Sequence, residues 1–192
     1  MINDSVTLQP SHFGALLIGR QASMLSGFTY SVLDSCETEI GKIEWPNMSQ
    51  ATNARLRWNS DPAKGEVSIF HLGRRYGVQH EYLTRSWVND TRYYLKDGDQ
   101  VKATAELRCA PGFFSRSKLH LVLPFPAEFV RRRQFFKGRL ELQGPSGLVG
   151  SVADRAPFMT RREVIADLPD SLDIPTKMFV LFLALHRFQT QA

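Results

Sequence analysis

The sequence predicts a mainly β fold, with about a dozen short antiparallel strands closed into a barrel around a hydrophobic C-terminal helix. Three observations predict it. Short stretches of alternating apolar and polar residues recur through most of the chain, with turn residues between them roughly every eight to twelve positions. Near the C-terminus, Met178 to Leu185 is apolar on every face of a helix. A short motif, Ile40-Gly41-Lys42-Ile43, returns as Val149-Gly150-Ser151-Val152, 109 positions later.

The first strands are read over Ala15 to Arg20, Phe28 to Leu33, and Ile40 to Trp45, the last stopping at Pro46. Ala54 to Trp58 alternates again and ends at the turn-like Asn59-Ser60-Asp61-Pro62. Val67 to Leu72 and Tyr76 to Leu83 flank Gly73-Arg74-Arg75, the spacing of a hairpin. Tyr93 to Leu95 leads to Lys96-Asp97-Gly98-Asp99, whose Asp-Gly pair signals the turn into Val101 to Leu107. Leu119 to Leu123 stops at Pro124. Arg139 to Leu142 and Leu148 to Val152 flank Gly144-Pro145-Ser146-Gly147, and Arg162 to Ala166 precedes Asp167-Leu168-Pro169-Asp170. The stretch Ala127 to Phe136 fits a short helix and an irregular loop equally well, because Phe129, Val130 and Phe136 are spaced loosely for either pattern.

The C-terminal helix is expected over about residues 175–189, with Asp173 as its cap and Pro175 in its first turn. Its fully apolar run holds eight residues, whereas a bilayer span needs about twenty. No transmembrane span is therefore expected, and the helix belongs inside a wall of strands. The repeated motif lies in similar surroundings in both places, which predicts two related half-barrels with Gly41 and Gly150 in equivalent positions.

The chain of 192 residues reads as one domain, residues 1–192. A hydrophobic share of 43% and a charged share of 22% exclude disordered, collagenous and coiled-coil classes. The net charge of +5 is a mild bias toward anionic partners, and with no recognition-helix pattern it weighs against nucleic acid. Cys36 and Cys109 make no disulfide framework and read as buried free thiols of a reducing compartment. The N-terminal residues lack the charged and apolar regions of a secretory signal, so the expected location is cytoplasmic, and two Asn-x-Ser/Thr matches read as chance.

No catalytic signature stands out. His12, His71, His80, His120 and His186 form no metal-ligand spacing, so neither a metal nor another cofactor is expected. There is no Gly-x-Ser-x-Gly elbow. A hairpin bringing Cys109 to His120 would be the nearest thing to a nucleophile and base, against the simpler reading of an incidental thiol. Gly144, Gly147 and Gly150 have a phosphate-loop spacing, but the residues that follow read as strand, so a hairpin turn is the better account. Asp167, Asp170 and Asp173 recur every third position at a strand-to-helix junction, where turns and caps are expected.

Leu16 to Gln21, Met24 to Gly27, Phe28 to Asp34 and Glu39 to Ile43 together resemble the opening of the LURP-one-related proteins, which belong with the phospholipid scramblases and the tubby C-terminal domain. The family pattern is an apolar strand ending near Arg-Gln, a turn, and a strand of the type Tyr-x-Val-x-Asp leading to Gly-x-Ile-Gly-x-Ile. The family's glycine after the aspartate is replaced here by Ser35-Cys36-Glu37-Thr38. Leu168 to Pro175 and the apolar run after it are similar to the family's buried terminal helix. The resemblance implies a twelve-stranded tubby-like barrel around that helix.

The tubby branch implies a phosphorylated lipid as ligand, and the basic residues are the candidates to hold it. They fall into three groups: Arg74 and Arg75; Arg131, Arg132, Arg133, Lys137 and Arg139, adjoining Phe135 and Phe136; and Arg161 and Arg162. The expected function is a non-enzymatic binding or scaffold protein, peripheral at membranes, docking anionic phospholipid headgroups through these side chains. The alternatives are an enzyme with a pocket at the barrel mouth and a protein-interaction module with no small ligand.

Overall fold

A computed structural model describes residues 14–22, 29–45, 66–84, 90–108, 118–134, 137–155 and 162–190, with only the backbone described for 132–134, 137, 189 and 190. Twelve strands run β1 (Leu16–Gln21), β2 (Thr29–Leu33), β3 (Glu39–Glu44), β4 (Val67–His71), β5 (Arg74–Tyr82), β6 (Thr91–Asp97), β7 (Gln100–Arg108), β8 (Lys118–Val122), β9 (Pro126–Gln134), β10 (Lys137–Gly144), β11 (Gly147–Asp154) and β12 (Glu163–Asp167). Each pairs antiparallel with its sequence neighbours, and β12 pairs with β1 to close the barrel. Alternation follows the pleat. Tyr76 and Val78 on β5, Tyr93 and Leu95 on β6, and Leu140 and Leu142 on β10 point inward and are buried.

Helix α1 (Ile174–Thr190) fills the interior. Every residue from Pro175 to His186 is buried. Phe182 meets Trp45 at 5.3 Å and Tyr93 at 6.3 Å, ring centre to ring centre. A closed wall buries a helix on all faces without lipid, which is why the run from Met178 to Leu185 carries no polar stripe. The wall thins where the helix comes close. A methyl group at Gly41 would lie 2.8 Å from Met178 Cε and would overlap the Phe70 carbonyl oxygen, and one at Gly19 would lie 3.0 Å from Leu181 Cδ2. Asp173 caps the helix, its Oδ1 accepting from the Thr176 amide at 3.0 Å. Asp170 Oδ1 accepts from the Ala15 amide at 2.8 Å and from Lys177 Nζ at 3.1 Å, tying the start of β1 to the start of the helix.

The ambiguous stretch Ala127 to Phe136 is neither helix nor loop over its described part: residues 126–134 form β9. Ala127 and Phe129 face the core, with Phe129 opposite Leu119 and Leu142. Val130 beside Phe129, and three arginines after it, hid the period of two. The strand expected at Ala54 to Trp58 lies outside the described residues, and β3 pairs directly with β4. Arg74 and Arg75, read as turn residues, open β5.

The two half-barrels are not found. A twofold repeat of twelve strands would map β3 onto β9, but Gly41 lies in β3 and Gly150 in β11, four strands away around the ring. What the two motifs share is a β-bulge. In β3 the register shifts so that Ile40 is the extra residue beside Gly41, and in β11 Val149 is extra beside Gly150. A third bulge makes Lys102 the extra residue beside Ala103 in β7. The three bulged strands, β3, β7 and β11, are evenly spaced around the ring. Bulges add local twist and bend, which a sheet needs in order to close.

Sequential antiparallel strands sort the connections to two ends. At one end lie the turns β2–β3, β4–β5, β6–β7, β8–β9 and β10–β11 and the lead into the helix. At the other lie the connections β1–β2, β3–β4, β5–β6, β7–β8, β9–β10 and β11–β12, most of them longer. The first is called below the short-turn end and the second the long-connection end.

A candidate anion-binding surface

The barrel separates the arginines that the sequence offered as one set. Arg74 and Arg75 stand at the short-turn end and are already engaged. Arg74 bridges Asp97 at 2.8 Å and lies over the Tyr76 ring, while Arg75 Nε donates to Ser68 Oγ at 2.9 Å and its guanidinium lies 3.9 Å from Glu66. Arg162 is at the long-connection end but is matched, 3.3 Å from the buried Asp154 carboxylate. Arg161 lies outside the described residues. Nearby Arg20 and Arg155 both bridge Glu163, at 2.8 and 3.0 Å.

The β9–β10 hairpin carries the second group. Pairing sets Arg131 opposite Leu140, Arg132 opposite Arg139, Arg133 opposite Gly138 and Gln134 opposite Lys137. One hairpin therefore carries all five basic residues of the second group toward the long-connection end, and Phe135 and Phe136 join its strands. No acidic residue occurs from Val130 to Leu140. Arg131 is exposed. Arg139 is half-buried; its Nη2 donates to Ser151 Oγ at 3.4 Å, and its Nε is buried with no hydrogen-bond partner among the described residues.

The features an enzyme would use do not converge among the described residues. His120 is on the outer wall, its Nδ1 3.6 Å from Glu128, and Cys109 lies outside the described residues. Cys36 is exposed rather than buried, because it sits in the β2–β3 turn, where its amide donates to Asp34 Oδ1 at 2.8 Å. A depression of about 370 Å³ lies on the outside of β3 and β4, lined by Glu39, Lys42, Glu44, Phe70 and Leu72 among others, and is wide open. Gly144 and Gly147 close the β10–β11 hairpin, and Gly147 has φ 111°, a turn glycine rather than a phosphate loop. No group of three or more His, Cys, Asp or Glu side chains suited to a metal occurs among the described residues.

One cluster was not singled out from the sequence. His80 and Tyr82 continue the inward alternation of β5 and meet Tyr93 and His186 inside the barrel. The His80 ring is 5.5 Å from Tyr82 and 6.3 Å from Tyr93, and the His186 ring is 5.9 Å from Tyr93 and stacked on Phe182 at 6.1 Å. Burial, with Arg187 and His80 nearby, depresses the His186 pKa to about 4, and burial also lowers that of His80. The period-two run Tyr76-Val78-His80-Tyr82 was the available signal.

Among the described residues no helix is long and apolar enough to cross a membrane. Comparison with family models, curated proteins and solved structures gives no match to this chain.

Proposed function

We propose that this chain is a non-enzymatic, tubby-like docking protein of the LURP-one-related kind, which works at the cytoplasmic face of membranes and engages anionic phospholipid through the β9–β10 hairpin. The observation that carries the reading is five basic residues, with no acidic one between Val130 and Leu140, on a single hairpin whose strands are joined by two phenylalanines. Arginines suit phosphate, and aromatic side chains suit the headgroup boundary. Arg74, Arg75 and Arg162 each face a carboxylate.

Attraction of a basic residue to an anionic surface is worth about 1 kcal/mol. Arg131, Arg132 and Arg133 together would supply about 3 kcal/mol, or about a hundredfold in partitioning. Sedimentation with vesicles containing phosphatidylserine tests this, comparing the wild type with the Arg131→Glu, Arg132→Glu, Arg133→Glu variant at low and high salt. The wild type should bind at low salt and weaken steeply as salt screens the charges, leaving a salt-resistant remainder from Phe135 and Phe136. Equal sedimentation of both proteins at low salt, with matching melting curves, would refute the reading.

A further inference from the structure

The plug enters the barrel at the short-turn end, so its last turn lies at the long-connection end with the basic hairpin. There the wall and the helix each bring a histidine to the same ring. Tyr93 on β6 lies 6.3 Å from His80 of β5 and 5.9 Å from His186 of α1, ring centre to ring centre. Two residues after His186, Phe188 is also buried, and it packs against the hairpin. A methyl group at Gly138 of β10 would lie 2.9 Å from Phe188 Cε1, and Gly138 pairs with Arg133 of β9. One helical turn thus meets the β5–β6 wall through His186 and the docking hairpin through Phe188.

This end of the interior is poorly suited to an imidazolium. The side chains brought to His186 are His80 and Tyr82 on β5 and Tyr93 on β6, and the inward residues of β4, β7 and β8 at this end are Val67, Ala105, Leu107 and Leu119. Glu81, Glu106 and Glu128 point to the outer side of the wall, where they pair with Arg92 and Lys118. Among the described residues the carboxylate that points inward at this end is Asp154, and Arg162 lies 3.3 Å from it. The remaining charges are Arg187 on the helix and Arg131, exposed at the rim on β9. A proton on His186 therefore meets Arg187 and, once it too is charged, His80.

We infer that the last turn of the plug is an acid-operated latch on the docking hairpin: near neutral pH it holds β10 against the core, and in acid it leaves the wall and frees the hairpin. This rests on the anionic docking proposed above and concerns the regulation of that same site. The direction follows from charge and apolar area together. Release brings imidazolium charge to a surface that already attracts anions, and it bares Leu185 and Phe188 beside the hairpin. The size follows from proton linkage. With a His186 pKa of about 4 in the closed state and about 6.5 when released, the release equilibrium shifts about thirtyfold between pH 7.5 and pH 5.0. Where docking needs the released state, the apparent affinity rises by up to the same factor.

The test measures sedimentation with vesicles of 70% phosphatidylcholine and 30% phosphatidylserine at pH 7.5 and pH 5.0, for wild type, His186→Leu and the triple Arg→Glu variant. Hydrogen exchange read by mass spectrometry on the free proteins, corrected for intrinsic rate, accompanies it at both pH values. The wild type should bind about ten- to thirtyfold tighter at pH 5.0, with a larger salt-resistant share, and should lose protection first over residues 183–190. His186→Leu keeps an apolar contact with Phe182, so it should match the wild type at pH 7.5, gain at most about a third as much in acid, and keep that protection. The triple variant should bind at neither pH. Equal acid gains in wild type and His186→Leu overturn the latch and leave the docking reading standing. Wild-type binding that is the same at both pH values does so too, as does protection lost evenly across the strands. Absence of wild-type binding at both pH values overturns the docking reading and the latch with it.

Discussion

Acidification should loosen the barrel from within, through His186. A histidine whose pKa falls from about 6.5 in the unfolded chain to about 4 in the fold is held neutral by the native state. The unfolded chain then binds more protons between these values, so stability is complete above about pH 6.5 and is lost as pH falls toward 4. The largest possible effect is about 3 kcal/mol, and at pH 5 the loss relative to pH 7.5 is about 2 kcal/mol. For a chain of this size that corresponds to a fall in Tm of about 4–8 °C. His80, depressed in the same direction by burial, adds to it. Carboxylates held low by their partners, such as Glu106 beside Arg92 and Asp173, respond only below this window. Thermal melts at pH 7.5 and pH 5.0 on wild type and His186→Leu test the assignment. The variant keeps an apolar contact with Phe182, so its fall between the two pH values should be smaller by the His186 share, leaving that of His80. Equal falls in the two proteins would refute the argument.

Two further predictions concern the plug and its wall. Leu181→Asp puts an uncompensated charge into a site with no exposure, a change costing several kcal/mol, and should give no soluble protein with a cooperative melt; a normal melt would show that the helix is not enclosed. Gly41→Val forces side-chain atoms against Met178 and the Phe70 carbonyl and should cost about 1–3 kcal/mol by denaturant titration; an unchanged midpoint would mean that the wall has room there.

The barrel was legible because two signals survive without tertiary information. Alternation marks a strand with one wet and one dry face, and an all-apolar helix marks a fully enclosed one. Both depend only on burial, and both were read near their observed bounds, as at Met178 to Leu185 and Val101 to Leu107. Elsewhere the pattern failed for local reasons. At β9 the inward Phe129 is followed by outward Val130, and then by arginines that hide which face is dry. The resemblance between Ile40-Gly41 and Val149-Gly150 was real, but its cause was the bulge each strand needs, which recurs in β7 without a glycine. The His80–His186 cluster draws on β5 and the helix, 106 positions apart in sequence, and only the pleat of β5 hinted at it.

The arginine set illustrates how strand order decides which side chains share an end of the barrel. In an up-and-down barrel each strand reverses the chain, so the end at which a turn lies depends on whether an odd or an even number of strands precedes it. With a strand placed at Ala54 to Trp58 and none at residues 126–134, the total is still twelve. The β4–β5 turn, the β9–β10 connection and the β11–β12 connection then all follow odd-numbered strands, and the three arginine groups fall together at one end. In the observed barrel β4 pairs antiparallel with β3 and residues 126–134 are β9, so the β4–β5 turn lies at the opposite end. Parity is restored after β9, so the other two groups stay where they were. The direct pairing of β3 with β4 thus places Arg74 and Arg75 at the end away from the β9–β10 connection without changing the fold class. The observed order leaves a basic hairpin at one end and an arginine pair matched by Asp97 and Glu66 at the other, so the arginines do not form one surface.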